Sequence, residues 1–177
     1  MENLMIKIIK LNLIISLIVT TNNAFSEICR SETDIPSTTP SSRFNNNSNG
    51  TVSDNRTKLM WQKCQLGLSG ENCEIGTATL HNWQQALDEA ESNTNAGYSD
   101  WRLPNHKELL SIVEQRCYNP SINSTIFPNT SPVPYFWSAS PDANQTFSAW
   151  GVSFRYGFSR DGFRDYNLNV RLVRFGQ

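Results

Sequence analysis

Arginines and aromatic residues crowd one stretch near the end of the chain. Arg155, Tyr156, Phe158, Arg160, Phe163, Arg164, Tyr166 and Arg171 all fall within it. Aromatic faces stack on sugar rings, and a guanidinium fork holds a sulfate or carboxylate through parallel hydrogen bonds. Asp161 and Asp165 dilute the charge, since four arginines against two aspartates leave +2. Two readings of the stretch stand side by side. It is either a ligand face made of Arg155, Tyr156, Phe158, Arg160, Phe163, Arg164 and Tyr166, or a solvated loop. In the second reading its aromatics pack down on the core and its arginines pair with the two aspartates. Loops carried on a rigid scaffold are where binding usually sits.

Other chemistry is thinly supplied. The only histidines are His81 and His106. Each sits at the start of a helical pattern, reads as a solvated residue there and lacks the partners of a general base. No G-x-S-x-G, H-E-x-x-H or phosphate-loop motif is present. Asp142, Asp161 and Asp165 are scattered, whereas calcium needs clustered oxygen ligands. The expectation is a protein without catalysis, metal or cofactor.

The cysteines read differently. Four are present, Cys29, Cys64, Cys73 and Cys117, and no C-x2-C pair suits zinc. An even number in an exported chain points to disulfides, with three possible pairings. Gly67 and Gly70 let the chain turn back between Cys64 and Cys73. We therefore expect the nested pairing, Cys64–Cys73 inside Cys29–Cys117, the latter tying the start of the mature chain to the end of a helix.

Several elements must position these groups. Asn49-Gly50 marks a tight turn, Thr51-Val52-Ser53 and Leu59-Met60-Trp61-Gln62 read as strands, and residues 44–63 form a small β-meander. Trp83, Ala86, Leu87 and Ala90 make one face of a helix, capped by Asn82 with Gln85 three residues on. Asn105 and Glu108 cap a second helix, whose stripe of Leu109, Ile112, Val113 and Arg116 carries it toward Cys117. Tyr135 to Ala139 is a dense apolar run. Trp150, Val152 and Phe154 alternate as a half-buried strand does. Val170 to Phe175 closes the chain as a last strand, apolar on both faces and therefore central. Arg155 to Asn169 is left as a loop. Trp61, Trp83 and Trp137 belong to the core. The order is strands, helix, helix, strands: an α+β domain.

Composition narrows the class. The chain has 177 residues, 38% apolar and 18% charged, with net charge −1. That balance excludes a nucleic-acid binder and a polybasic membrane-surface protein. Lys7 and Lys10, the apolar run Leu11–Val19 and the small residues Ala24 and Ser26 make residues 1–26 a secretory signal peptide. The run is far shorter than the about 20 residues of a membrane span. Residues 27–49, rich in Ser, Thr, Pro and Asn, read as an extended, weakly ordered lead-in.

Four runs then identify a family. They are residues 50–57 (Gly-Thr-Val-Ser-Asp-Asn-Arg-Thr), Leu59-Met60-Trp61-Gln62, residues 97–105 (Gly-Tyr-Ser-Asp-Trp-Arg-Leu-Pro-Asn) and Val170-Arg171-Leu172-Val173-Arg174. In this order they resemble the bacterial family named after the C-terminal domain of the Legionella collagen-like adhesin. Lys58 departs from it, because the family usually has glycine before Leu-Met-Trp. The resemblance implies a single domain over residues 50–177 and a C-type-lectin-like fold: two helices packed on small irregular antiparallel sheets. It also implies ligand or glycan binding, as in the named adhesin. The formylglycine-generating enzymes share the fold but need late cysteines, and none follows Cys117 here. Around the most specific run, Asp100 is the nearest partner for Arg102, Trp101 anchors a helix to the sheet, and Pro104 fixes the backbone before the cap.

The expected protein is therefore secreted, periplasmic or on the cell surface. Its partner is an extracellular glycan, with an anionic one favoured by Arg155 to Arg171. The alternative is a structural protein of the envelope that docks on a protein partner.

Overall fold

The Asn49-Gly50 turn and the turn at residues 55–58 fold three short strands back on one another. A computed structural model describes residues 27–176. The proposed signal peptide lies outside them. Strand β1 is Ile28–Cys29. The meander is β2 (Phe44–Asn46), β3 (Thr51–Asp54) and β4 (Leu59–Gln62). A ribbon of β5 (Leu68–Ser69) and β6 (Ile75–Gly76) follows. Helix α1 is Trp83–Ser92 and α2 is His106–Leu110, both closed by the capping boxes expected of Asn82/Gln85 and Asn105/Glu108. Then come β7 (Cys117–Tyr118), β8 (Phe136–Pro141), β9 (Ser148–Ser153), β10 (Phe158–Phe163) and β11 (Val173–Phe175). The result is α+β and mostly β.

The pairings between these strands are antiparallel. One sheet runs β11-β4-β3-β2 and another β10-β9-β8, with two-stranded ribbons β1-β7 and β5-β6. Trp61, fully buried, joins Phe127, Phe136 and Phe154 in one apolar cluster. Trp101, Trp137 and Leu172 join the buried face of α1, Ala86 and Ala90, in a second, with Trp83 partly buried beside it. The disulfides are Cys29–Cys117 and Cys64–Cys73.

Five expectations need correction. Helix α2 stops at Leu110, and Cys117 lies in β7 opposite Cys29 rather than at a helix end. Ile112 and Val113 are buried in a turn, because Val113 bridges to Ile122. The last strand is shorter than Val170–Phe175 and ends the order of its sheet. It is enclosed nonetheless, since Arg102 and Val173 exchange backbone hydrogen bonds of 2.9 Å on its outer side. Nor is the lead-in weakly ordered. Buried Glu114 accepts hydrogen bonds from the Ser37 hydroxyl (2.6 Å) and from the Thr39 amide (2.9 Å) and hydroxyl (2.8 Å). Burial alone would raise the Glu114 carboxyl, but these bonds from Ser37 and Thr39, with that of Thr38, outweigh it and hold it at about 2. Finally, Asp100 does not pair with Arg102. Glu108 does, through two 2.7 Å hydrogen bonds, while Asp100 holds Arg174 at 2.6 Å.

Lys58 sits at φ +61°. That is the left-handed region where glycine is at ease. The turn of the family pattern is thus kept here by a residue that is strained in it.

Candidate functional site

Residues 158–163 are not a loop. They form β10, an edge strand paired with β9 from Phe158↔Ser153 to Phe163↔Ser148. The sequence hid it because Ser159, Arg160, Asp161 and Gly162 are poor strand formers, and pairing to β9 overrides that preference. Gly157, at φ +74°, makes the turn; a Cβ there would lie 2.9 Å from Val113 Cγ1.

The hairpin displays its aromatics instead of burying them. Tyr156 is 56% exposed, Phe158 44%, Phe163 46% and Tyr166 51%. Tyr156 and Phe158 stack at 6.2 Å between ring centroids, and Tyr135 meets Phe158 edge-on at 6.1 Å. Phe163 packs against Tyr166 at 5.3 Å and Phe147 at 5.5 Å. Two depressions open between these rings. One, of about 300 Å³, is lined by Tyr135, Arg160, Phe163 and Tyr166. The other, of about 130 Å³, is lined by Tyr135, Arg155, Tyr156 and the prolines at 132 and 134. Tyr135 is a wall of both.

The arginines of the stretch divide into three kinds. Arg155 and Arg160 are exposed and form no ion pair among the described residues. Arg155 lies 5.1 Å from the Tyr156 ring centroid. Arg164 is half-buried: its guanidinium covers Trp83 at 4.3 Å, and its Nε donates to the Ser148 carbonyl at 3.1 Å. It belongs to the wall of the hairpin more than to its open face. Arg171 is fully buried over Phe127 (4.9 Å). It donates to the carbonyls of Gln62 (2.9 Å) and Lys63 and to the Thr130 hydroxyl (2.7 Å). Burial lowers its guanidinium to about 9, which leaves it charged at neutral pH. Asp161 and Asp165 form no ion pair with any of these arginines among the described residues.

The residues of the 97–105 run are spread around the core. Trp101 is buried and donates from Nε1 to the Asn95 carbonyl at 2.9 Å. Pro104 is buried, and its carbonyl accepts from Ala139 at 2.8 Å. The Pro104 bond fastens the start of α2 to β8, and the Trp101 bond ties the run to the turn after α1.

His106 is not the solvated first-turn residue expected. Its ring stacks on Trp150 at 5.1 Å, and Nε2 lies 2.5 Å from Ser159 Oγ. This burial lowers its pKa. No carboxylate hydrogen-bonds the ring among the described residues, so a serine–histidine pair is present without the third group that would orient it. Among the described residues His81 Nε2 meets only the Thr79 hydroxyl, at 2.9 Å. Glu27, Cys29 and Cys117 cluster, but the two sulfurs are joined to each other and cannot act as thiolate ligands. No helix of the described residues is long and apolar enough to cross a membrane.

No curated protein matches the chain. The family model described as the Lcl C-terminal domain matches residues 50–174, well over half of the sequence. It covers β3 and β4 of the meander, both helices, the aromatic hairpin and β11 up to Arg174, and this chain belongs to the Lcl C-terminal domain family.

Proposed function

We propose that the protein is an exported, adhesin-like, non-catalytic binding domain. Its ligand face is the open side of the β9–β10 hairpin, and its ligand an anionic glycan. The observation that carries this reading is the exposure of Tyr156, Phe158, Phe163 and Tyr166 beside two arginines, Arg155 and Arg160, that form no ion pair among the described residues. Contiguous exposed aromatics mark a surface built to be covered. A partner with flat apolar faces and anionic groups answers both features. Two disulfides suit an oxidising compartment. Two helices beside small antiparallel sheets support the C-type-lectin-like relation.

A glycan-array screen of the oxidised protein at low and high salt, with and without chelator, tests the proposal. Binding to sulfated glycans that survives chelation and weakens with salt is expected. Loss on chelation contradicts the metal-free mechanism. Failure to bind any glycan turns the reading to a protein partner, for which the unpaired outer edge of β10 is the docking strand. Enzymatic turnover that vanishes on changing His106 in a folded protein would overturn the non-catalytic assignment.

A further inference from the structure

A second concavity lies away from the hairpin, between the disulfide loop, the Asn49-Gly50 turn and the end of α1. Its volume is about 380 Å³, and no charged or aromatic residue lines it. Side-chain amides dominate the lining: Asn49, Gln62, Gln65, Asn93 and Asn95. Gln65 is used by the fold, since its amide bonds Asn169 and the Ser131 N–H. The others keep free hydrogen-bonding capacity. Gln62, only 5% exposed, donates from Nε2 to Asn93 Oδ1 at 2.8 Å. The outer atoms of that pair, the Gln62 oxygen and the Asn93 nitrogen, bond nothing among the described residues. Neither is among the sealed atoms without a partner, so both open to the cleft. The Asn95 side chain likewise has no partner among the described residues, and Asn49 uses only its oxygen, accepting from Thr51.

The walls are fixed. Cys64–Cys73 closes the loop. Lys63 N–H binds the Gly50 carbonyl at 3.0 Å, and Leu66 N–H binds that of Val170 at 2.9 Å. A Cβ on Gly67 would lie 2.2 Å from the Thr77 carbonyl oxygen, so the segment just after β6 presses directly on Gly67. The buried Gln62–Asn93 pair is thus held in place before a ligand arrives, which reduces the ordering cost of binding.

Chemistry narrows the ligand. A charged group would lose hydration here and meet no counter-charge. An apolar group would leave the Gln62 oxygen and Asn93 nitrogen unpaired. A hydroxyl both donates and accepts, as the amide edge does. The volume is at the small end of ligand sites, about 300–1,000 Å³. We propose that this amide-lined cleft is a second binding site, which takes a neutral sugar as a mono- or disaccharide. It is separate in place and in chemistry from the hairpin face and does not depend on it.

The test is a ¹H–¹⁵N NMR titration of the oxidised protein with glucose, N-acetylglucosamine and, as charged control, glucuronate. Each is taken to about 50 mM, enough to detect a millimolar Kd. At least one neutral sugar should move the amides of Gly50, Gly67, Gly70 and Asn95. The shifts should persist in high salt and be reduced at least about threefold by Asn95→Ala, the loss of one modest hydrogen bond. Ser69→Trp, on the exposed rim, should block them while leaving the rest of the spectrum in place. No shift with either neutral sugar overturns the proposal. So do shifts confined to the Tyr135–Tyr166 face, shifts indifferent to both variants, or a stronger response to glucuronate.

Discussion

Arg171 and Arg160 belong to one short stretch, yet their surroundings are opposite. Arg171 lies inside the molecule, over Phe127, with Gln62, Lys63 and Thr130 accepting its hydrogen bonds. Arg160 lies on β10 beside open aromatic rings, with no protein acceptor among the described residues. Both have aromatic neighbours, Arg171 lying over the Phe127 ring and Arg160 sharing a depression with Phe163 and Tyr166. The difference is whether the chain itself supplies the acceptors. Where it does, the arginine is a structural post joining β4, the segment after Phe127 and the last strand. Where it does not, the fork is available to a ligand. Arg164 stands between the two, with Ser148 and Trp83 taking up part of its capacity.

The sharpest way to break this comparison is Arg171→Ala. It takes their buried donor from the Gln62 and Lys63 carbonyls, leaves the Thr130 hydroxyl only its bond to the Phe127 carbonyl, and opens a cavity beside aromatic rings. We expect a loss of about 4 kcal/mol in chemical denaturation, at the upper end for single substitutions. A loss under about 1 kcal/mol would remove the structural role.

Glu114 is the acidic counterpart of Arg171, a buried charge whose hydrogen-bond partners come from its own chain. The folded carboxyl titrates at about 2, whereas an unfolded one titrates near 4.3. Its contribution, roughly 3 kcal/mol, is complete above about pH 4.5 and is lost as pH falls toward 2. Glu114→Gln should remove that acid dependence in a melting series. It should also speed hydrogen exchange of the Thr38 and Thr39 amides. An unaltered acid limb would show that another carboxylate governs it.

The smallest effect is a control. Lys58→Gly relieves a left-handed backbone away from the hairpin and should stabilise by about 1 kcal/mol with no change in binding. Destabilisation would mean that the Lys58 side chain contributes more than its strain costs.

These contrasts also explain what the sequence could reveal. Capping boxes were legible at Asn82/Gln85 and Asn105/Glu108 because their signals are local. The meander was legible from its turn residues and periodicity. The length of α2 was not. Leu109, Ile112 and Val113 have helical spacing, but a turn can bury the same residues, and the Val113–Ile122 bridge decides between the two. Strand β10 was hidden for a related reason, since its pairing partner rather than its own residues makes it extended. Of the arginine stretch, the residue types were readable and the sorting was not. Nothing in the sequence alone separates Arg171, whose acceptors lie far away in the chain, from Arg160. Glu114 gave no signal at all, because its partners Ser37, Thr38 and Thr39 lie in a segment whose composition reads as disordered. The amide cleft was missed likewise, as its asparagines and glutamines come from three separate segments.

The central claim is that the open arginines serve a ligand and not the fold. Calorimetric titration with a sulfated oligosaccharide, alongside melting curves, tests it most directly in Arg155→Ala/Arg160→Ala against the unaltered protein. The account predicts melting unchanged within about 0.5 kcal/mol and affinity reduced about fivefold per arginine, the weight of roughly 1 kcal/mol for an exposed charge pair. Undiminished affinity in the double variant, or a large loss of stability, would contradict it.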